Sequence, residues 1–367
     1  MTFLYFILIL VALVLVHEFG HFVVAKLFGI RVDEFGVFFP PRIAAIKKGE
    51  TEYSINWLPF GGFVKIFGEN YDEGKHDPRS FISKPRYIQA AVIVAGIVCN
   101  LLFAWLILGV GYMGGLPTSA GEQSFGTVTQ VHVLVVGVLP NSPAAKAGLL
   151  GGDQIEEVQT GTDALDLRPL TATDKEASAV TNFISAHQDE SVVITVLRDG
   201  EEKAFLAKAG DGFIAGRKAI GVQLDDVGTL ALPPQLALLQ GGVLGWDITK
   251  STAIGLAGFL KQIFTGTADF SQVAGPIGIT VFGAATLHQG WAAAAVLTAL
   301  ISINLAVINL LPIPGLDGGR LLIIIFEAIL RRPISPKIIT KFTLAGFALL
   351  ILLMLLVSYH DIVRLVG

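Results

Sequence analysis

Four long apolar runs constrain the fold of this chain more than any other feature. They lie at residues 1–26, 87–113, 290–316 and 342–359. Three of them exceed, and the last nearly reaches, the roughly 20 residues that a helix needs to cross a bilayer core. Only 15% of the 367 residues are charged, whereas a soluble protein carries roughly a quarter. The first run could instead be a signal peptide, but it lacks a basic start and a small-residue cleavage site. We therefore predict a polytopic α-helical membrane protein with four transmembrane segments.

The distribution of Lys and Arg predicts the orientation of these segments. Ten of the 26 Lys and Arg residues lie between residues 26 and 86, and five between 320 and 341, whereas residues 114–289 carry 10 basic and 18 acidic residues. Short loops rich in Lys and Arg stay in the cytoplasm. We expect residues 27–86 and 331–341 inside, and both termini and the acidic middle segment outside.

Residues 35–69, between the first two runs, are rich in Phe, Ile, Tyr and Val and contain a Lys-Lys-Gly-Glu turn at 47–50. This composition predicts short strands joined by turns. Strands this apolar, next to two spans, suit a β-hairpin that re-enters the membrane, where protein or a wet cavity must satisfy its backbone. An ordinary cytoplasmic loop is the alternative.

The middle of the chain has a different pattern. Residues 131–158 combine strand-forming residues with the turn-rich sequence Asn-Ser-Pro-Ala-Ala-Lys-Ala-Gly-Leu, and residues 191–209 predict a β-hairpin around Asp199-Gly200. The order of strand, short helix-like Ala-Ala-Lys-Ala-Gly, strand, helix and hairpin resembles a PDZ domain, here an inserted α+β domain over residues 120–227; another small β-rich domain is the alternative. Residues 228–289 are expected to form an amphipathic linker on the membrane surface.

The sequence His-Glu-Phe-Gly-His closes the first apolar run. On a helix, His17 and His21 share one face and can both reach one zinc ion, and Glu18 beside them can take a proton from an attacking water. The motif alone is common by chance. At membrane depth, however, an ionisable group costs on the order of ~3 kcal/mol, which favours a catalytic site over buried structural histidines.

A catalytic zinc needs a third protein ligand. Asp317 follows 27 uncharged residues, at the inner end of the third run, where Pro312 and Pro314 break the helix. We predict that Asp317 is this ligand; a capping role for the following helix is the alternative. The other histidines lie in polar regions or at the wrong depth, with His76 the next candidate: His76, His132, His187, His288 and His360.

Asn304 and Asn309 precede Asp317 in the third run. They are five residues apart, about 140° around a helix, so they do not share one face. Each could hydrogen-bond extended substrate backbone or stabilise an oxyanion, or each could hold helices together. Asn100, in the second run, fits a structural role better.

These motifs together resemble the site-2 protease family, and more closely its bacterial PDZ-containing branch (regulator of sigma-E protease-like). The resemblance spans essentially the whole chain. Two departures are visible: this chain has room for one PDZ-like domain instead of two, and Ile97 stands where the family has Pro, so the local helix kink lacks its usual cause. The motifs that carry it are HEFGH, NWLPFGGFVKIFGE, AGIVCN, AGPIGI (274–279) and NLLPIPGLDGG.

The resemblance implies an intramembrane zinc endopeptidase. Residues 1–113 and 290–367 would each hold two transmembrane segments, with the active site near the cytoplasmic side. The implied residue roles are Zn²⁺ ligation by His17, His21 and Asp317, general-base catalysis by Glu18, and substrate binding by Asn304, Asn309 and the 53–67 strands, including Ile55 and Val64.

The resemblance also implies partners and a location. Its substrates would be single-span membrane proteins, such as anti-sigma factors first trimmed by an upstream site-1-type protease, or signal-peptide remnants. They would be cleaved by regulated intramembrane proteolysis in the lipid bilayer of a bacterial inner (plasma) membrane, with no nucleic-acid partner. A zinc or cation transporter is one rival, although the two halves do not repeat. A catalytically inactive membrane PDZ adaptor is another, but it would not need Glu18.

Overall fold

The computed structural model describes residues 2–69, 77–121, 124–168, 176–198, 200–214, 217–267, 275, 278–280, 283, 286–287 and 290–366. Four helices within this part of the chain, at residues 4–27, 86–114, 291–310 and 336–363, are long and apolar enough to cross a membrane, which confirms the predicted spans. The main helices are α1 (Thr2–Leu27), α2 (Arg86–Gly114), α3 (Pro143–Ala147), α4 (Glu176–Ala186), α5 (Pro234–Thr265), α6 (Trp291–Leu310), α7 (Asp317–Leu330) and α8 (Pro336–Val366).

The strands form two larger groups and one small pair. The strands are β1 (Val32–Lys48), β2 (Thr51–Ile66), β3 (Leu116–Ser119), β4 (Thr129–Val138), β5 (Gln154–Gln159), β6 (Ala164–Asp166), β7 (Ser191–Arg198), β8 (Glu201–Lys208), β9 (Gly210–Ile214), β10 (Arg217–Ala219) and β11 (Val222–Leu230). β1 and β2 pair with each other, β9 pairs with β10, and the remaining strands form one sheet in the order β3-β11-β4-β5-β7-β8, with β6 beside β5.

The chain divides into two compact units, residues 1–110 with 241–367, and residues 111–240. In the first unit, α1 and α2 approach closely at Gly20, the fourth residue of the HEFGH motif. A Cβ atom at Gly20 would meet the carbonyl oxygen of Ala95 and would lie 2.9 Å from the Cβ of Cys99. A helix in van der Waals contact with a neighbouring backbone needs a small residue at the contact. The glycine therefore allows the histidine-bearing face of α1 to lie against α2.

β1 and β2 confirm the predicted strands, but they are 17 and 16 residues long instead of short, and they pair in a way that the sequence did not indicate. Residues 32–37 of β1 pair with 62–66 of β2 on one side, and residues 34–37 pair with 52–55 on the other. The rest of β1 pairs with the start of β2, from Lys48 opposite Thr51 onward. Two bent strands thus provide four strand segments.

This small sheet packs along the second half of α1. A Cβ atom at Gly62 would lie 2.8 Å from Cδ2 of Leu15, and the Phe22 ring lies 5.4 Å from the Phe35 ring and 6.1 Å from the Tyr53 ring, centroid to centroid. Leu15 and Phe22 both belong to the apolar stretch of α1 that is long enough to span a membrane. The sheet therefore lies beside a candidate span, while its re-entry into the membrane stays a prediction.

The α2 helix runs without interruption from Arg86 to Gly114. Ile97, in place of the family's Pro, keeps a backbone N–H, so no helix hydrogen bond is lost at this position.

The α5 helix packs on α2 through glycine, since a Cβ atom at Gly241 would lie 2.9 Å from Cα of Gly109. Much of the predicted linker, residues 228–289, forms this one helix of 32 residues. Its place on the membrane surface stays a prediction.

The second unit has the predicted order of strand, short helix, strand, longer helix and hairpin. Its core is a cluster of buried aliphatic side chains from β4, β5, β7 and the helices that pack on them. β7 pairs with β8 from Ser191 opposite Lys208 to Arg198 opposite Glu201, which confirms the predicted hairpin, although Asp199 of its turn lies outside the described residues. Whether this unit is a PDZ domain stays a prediction.

The turn-rich sequence before β5 has a clear local explanation. The Ser142 hydroxyl accepts a hydrogen bond from the Ala145 N–H and caps α3, Pro143 occupies the first turn, and Gly148 ends the helix with φ of 95°. Asp153 is buried and accepts hydrogen bonds from the Arg198 guanidinium at 2.5 and 2.6 Å. This charge pair fixes the α3–β5 turn to the hairpin.

Asp153→Ala should destabilise the second unit, by about 3 kcal/mol, because it leaves the largely buried Arg198 guanidinium without its carboxylate. Hydrogen exchange of the β7–β8 amides measures this change. Asp189→Ala is the matched control, since it removes the exposed carboxylate that pairs with Lys218 at 2.6 Å, and it should change little. Equal protection in both variants would contradict a stabilising role for the buried pair.

Candidate metal centre

Three side chains from distant parts of the sequence converge in the first unit. His17 Nε2 and His21 Nε2 lie 3.2 Å apart, and Asp317 Oδ2 lies 2.9 Å from the first nitrogen and 3.3 Å from the second. Both histidines are buried and Asp317 is largely so. Within the described residues, no other group of three His, Cys, Asp or Glu side chains converges in this way.

The spacing of these three atoms fits a tetrahedral cation. Zinc bonds of about 2.1 Å to nitrogen and oxygen place neighbouring ligand atoms about 3.4 Å apart at the corners of a tetrahedron. The observed separations of 2.9, 3.2 and 3.3 Å are close to that edge. Asp317 Oδ2 is buried, yet no donor in the described part of the chain makes a well-formed hydrogen bond to it. A carboxylate oxygen beside two imidazole nitrogens is a donor set that zinc accepts.

The partner of the second ring nitrogen fixes the tautomer of His21. His21 Nδ1 lies 2.8 Å from the carbonyl oxygen of Val92. A carbonyl oxygen only accepts, so Nδ1 carries the proton and donates it. The lone pair of His21 is therefore on Nε2, the atom that faces His17 and Asp317, as metal ligation requires.

Asp317 reaches the histidines because the chain turns sharply between α6 and α7. The α6 helix ends at Leu310, and α7 begins at Asp317, which confirms that Pro312 and Pro314 separate two helices. The turn is tight, since a Cβ atom at Gly318 would meet the carbonyl oxygens of Leu310 and Leu311. The N-cap of α7 is Leu316 and no side-chain capping hydrogen bond forms. The Asp317 carboxylate is directed at the histidines and does not cap the helix.

Glu18 lies in a cavity of about 190 Å³ that also contains His21 and Asp317. Val64, from the last segment of β2, lines the same cavity. In the described part of the chain, residues 62–66 pair only with β1 and have no strand partner on their second side. The cavity therefore combines two of the three candidate ligands, the Glu18 carboxylate and a strand edge.

Two further charged residues, which the sequence did not single out, line this cavity. Glu69 forms an ion pair with Arg320, one turn after Asp317 on α7. Both residues also line a neighbouring cavity of about 790 Å³. The spacing of Arg320 from Asp317, three residues on a helix, could have indicated that both lie on the same side, but nothing in the sequence pairs Arg320 with Glu69.

The structure separates the two asparagines of α6. Asn309 Nδ2 lies 3.5 Å from His17 Nε2, whereas Asn304 Oδ1 accepts a hydrogen bond from the Thr252 hydroxyl of α5 at 3.3 Å. Asn309 therefore lies at the metal centre and Asn304 contacts a neighbouring helix. The expectation that they face different sides of the helix is confirmed.

Ile55 does not line the cavity at the metal centre. It pairs with Val37 on one side and Ala44 on the other, so its strand segment has no free edge for a further strand. It was expected to bind substrate together with Val64, but the pairing register leaves only Val64 beside the cavity. Such a register, with one strand paired on both sides, cannot be read from composition.

The alternative third ligands differ in how far the structure describes them. His132 and His187 belong to the second unit, and His360 Nδ1 bonds to the Leu356 carbonyl within α8. His76 and His288 lie outside the described residues.

Comparison with known proteins agrees with this chemistry. Residues 5–353 match the family described as Peptidase family M50, the site-2 proteases. The chain belongs to this family. It is thus a membrane metalloendopeptidase of the site-2 protease type, and zinc is its metal.

The similar proteins cover nearly the whole chain. A protein of Clostridium perfringens named as a zinc metalloprotease is 33% identical over 356 residues, which are 96% of each chain. A Synechocystis protein with the same description is 34% identical over 363 residues, 97% of this chain and 93% of the relative. A chloroplastic membrane metalloprotease of Arabidopsis thaliana is 33% identical over 329 residues, 88% of this chain and 70% of the relative.

Asp317→Ala should remove both bound zinc and proteolytic activity, because two histidines alone cannot complete the three-ligand set. Asp317→Glu should damage both, since the longer side chain displaces the oxygen from its position beside the two nitrogens. Metal analysis of the purified, folded variants measures the zinc content. A full equivalent of zinc in Asp317→Ala would mean that another residue, with His76 the next candidate, is the third ligand.

Proposed function

We propose that this protease cleaves transmembrane segments of single-span membrane proteins within the lipid bilayer. The observation that carries the proposal is the shared cavity of Glu18, His21 and Asp317 beside the unpaired edge of residues 62–66. All of these residues belong to the unit that contains the apolar helices α1, α2, α6 and α8.

In this proposal His17, His21 and Asp317 hold the zinc ion. Bound there, zinc would supply Lewis acidity toward water and toward the scissile carbonyl. Glu18 acts as the general base: its carboxylate takes a proton from the attacking water and delivers it to the leaving nitrogen. Its neighbouring position to His17 on α1 and its place in the cavity support this role.

The strand edge at Val64 holds the substrate. The backbone of a transmembrane helix is fully hydrogen-bonded, so the helix must unwind before its carbonyl carbon can be attacked. An unwound segment has unsatisfied N–H and C=O groups, which are costly away from water. Addition of this segment as a strand to residues 62–66 would satisfy them and bring a peptide bond beside Glu18.

Asn309 assists at the reacting carbonyl. Its amide nitrogen, 3.5 Å from His17 Nε2, can donate a hydrogen bond to oxygen on which negative charge develops. Asn304 is assigned a smaller role, because its side chain already pairs with Thr252.

The wider biological setting follows the family resemblance. We assign the protein to a bacterial inner membrane, with both termini and the PDZ-like unit outside and the metal centre toward the cytoplasm, as the distribution of Lys and Arg supports. Its substrates would be anti-sigma-factor-like proteins, trimmed first by a site-1-type protease, or signal-peptide remnants. The PDZ-like unit has a small groove between α4 and residues 218–224, which suits either a new C-terminus or a role in excluding untrimmed substrates.

Glu18→Gln should abolish cleavage while zinc stays bound, because Glu18 is assigned as base and not as ligand. The measurement is cleavage of a model transmembrane peptide by purified protein, with and without added zinc, beside metal analysis. Loss of zinc from a folded Glu18→Gln protein would instead make Glu18 a ligand. No zinc-dependent cleavage by the wild-type protein would overturn the proposed function.

Val64→Pro should reduce turnover severely and Val64→Ala only mildly. Proline removes an N–H and fixes φ, so it disrupts pairing by the backbone, whereas alanine keeps the N–H and trims only the side chain. Unchanged zinc content in both variants is the control for folding around the metal centre. If both variants keep the same turnover, the strand edge does not bind the substrate.

A further inference from the structure

One face of α2 lies directly behind both histidines. Val92, Gly96 and Asn100 are spaced by four residues and therefore form a row along one side of the helix. His17 and His21 are also four residues apart, and the contacts pair the two rows in opposite directions: His21 with Val92, and His17 with Asn100. The two imidazoles thus meet equivalent positions on the neighbouring helix.

Gly96, in the middle of this row, leaves room for both rings. A Cβ atom there would meet Nε2 of His21 and would lie 2.9 Å from Cε1 of His17. The imidazoles therefore lie against the α2 backbone, and among the described residues Val92 and Asn100 are the polar partners of their Nδ1 atoms.

Asn100 is completely buried, and its side chain has one unsatisfied atom. As placed, its Nδ2 lies 3.5 Å from His17 Nδ1, while its Oδ1 is buried with no hydrogen-bond partner in the described part of the chain. Its backbone carbonyl accepts a hydrogen bond of 2.9 Å from the Ser302 hydroxyl of α6, which holds this part of α2 in place. A buried amide oxygen without a donor is unfavourable.

The two orientations of this amide have opposite consequences for the metal. If Nδ2 donates to His17 Nδ1, the proton of His17 is on Nε2, which then cannot bind a cation. If the amide is turned by 180°, Oδ1 accepts the Nδ1 proton, and the lone pair is on Nε2. Both orientations occupy the same volume, since the oxygen and nitrogen of an amide have nearly the same size.

We propose that Asn100 is a positioning residue for the metal centre: its amide oxygen accepts the Nδ1 proton of His17 and keeps Nε2 free to bind zinc. Asn100 thereby does for His17 what the Val92 carbonyl does for His21. The inference rests on the proposed ligand set and adds a residue that touches neither zinc nor substrate. Loss of such a partner typically weakens metal binding by about 10- to 100-fold.

Zinc affinity of the purified full-length protein, measured by competition with a chelating indicator, tests this role. Asn100→Leu removes the acceptor at similar volume and should weaken zinc binding by about 10- to 100-fold. Asn100→Asp keeps an acceptor and has no N–H donor, so it should bind zinc at least as tightly as the wild-type protein. Gln89→Ala, which removes another buried amide of α2, is the control and should leave zinc affinity unchanged.

The outcomes separate this inference from the proposed function. If Asn100→Asp weakens binding as much as Asn100→Leu, the amide acts as a donor and the assigned orientation is wrong. If the wild-type protein binds zinc and cleaves, and Asn100→Leu binds zinc equally well, Asn100 has no role at the metal. If the wild-type protein binds no zinc, the ligand assignment itself fails.

Discussion

The close contact between α1 and α2 is the interaction on which the metal centre depends. Two imidazoles buried among apolar side chains would lose the hydrogen bonds that water gives them, which is costly for any polar group. Gly20 lets the helices approach until the Val92 carbonyl lies 2.8 Å from His21 Nδ1. The fourth residue of the HEFGH motif is therefore as much a part of the site as its histidines, because it brings them within reach of their partners.

Asp317, the third candidate ligand, is held in place by the start of a helix and the tight turn before it. Asp317 begins α7, where the backbone N–H groups of a helix end carry partial positive charge and favour a carboxylate in its ionised form. The glycines that follow it allow the chain to fold back on the preceding loop. The tight turn between α6 and α7 thus presents a charged oxygen to the histidines.

The sequence predicted the parts of this site that depend on local geometry. The four-residue spacing of His17 and His21 defines a helix face, and the prolines before Asp317 end a helix, whatever the tertiary structure. The sequence could not predict which neighbour each face meets. The angle of about 140° between Asn304 and Asn309 showed that the two side chains face different sides of α6. Only the packing of α6 against α1 and α5 shows that Asn309 is the one near the histidines.

The strand pairing could not be predicted from the sequence either, because composition does not show which strand segments lie next to each other. Composition indicated strands over 35–69, and Ile55 and Val64 were equivalent on that basis. Their difference arises because residues 52–55 pair on both sides, with 34–37 and with 44–47, whereas 62–66 pair only with β1 among the described residues and lie at the edge of the sheet. That edge lines the same cavity as Glu18 and Asp317, so the backbone groups that an unwound peptide would need and the carboxylate that would activate water lie together. A protease that works on a helix in lipid needs both at one place, because an unwound peptide is stable there only while its amides are paired.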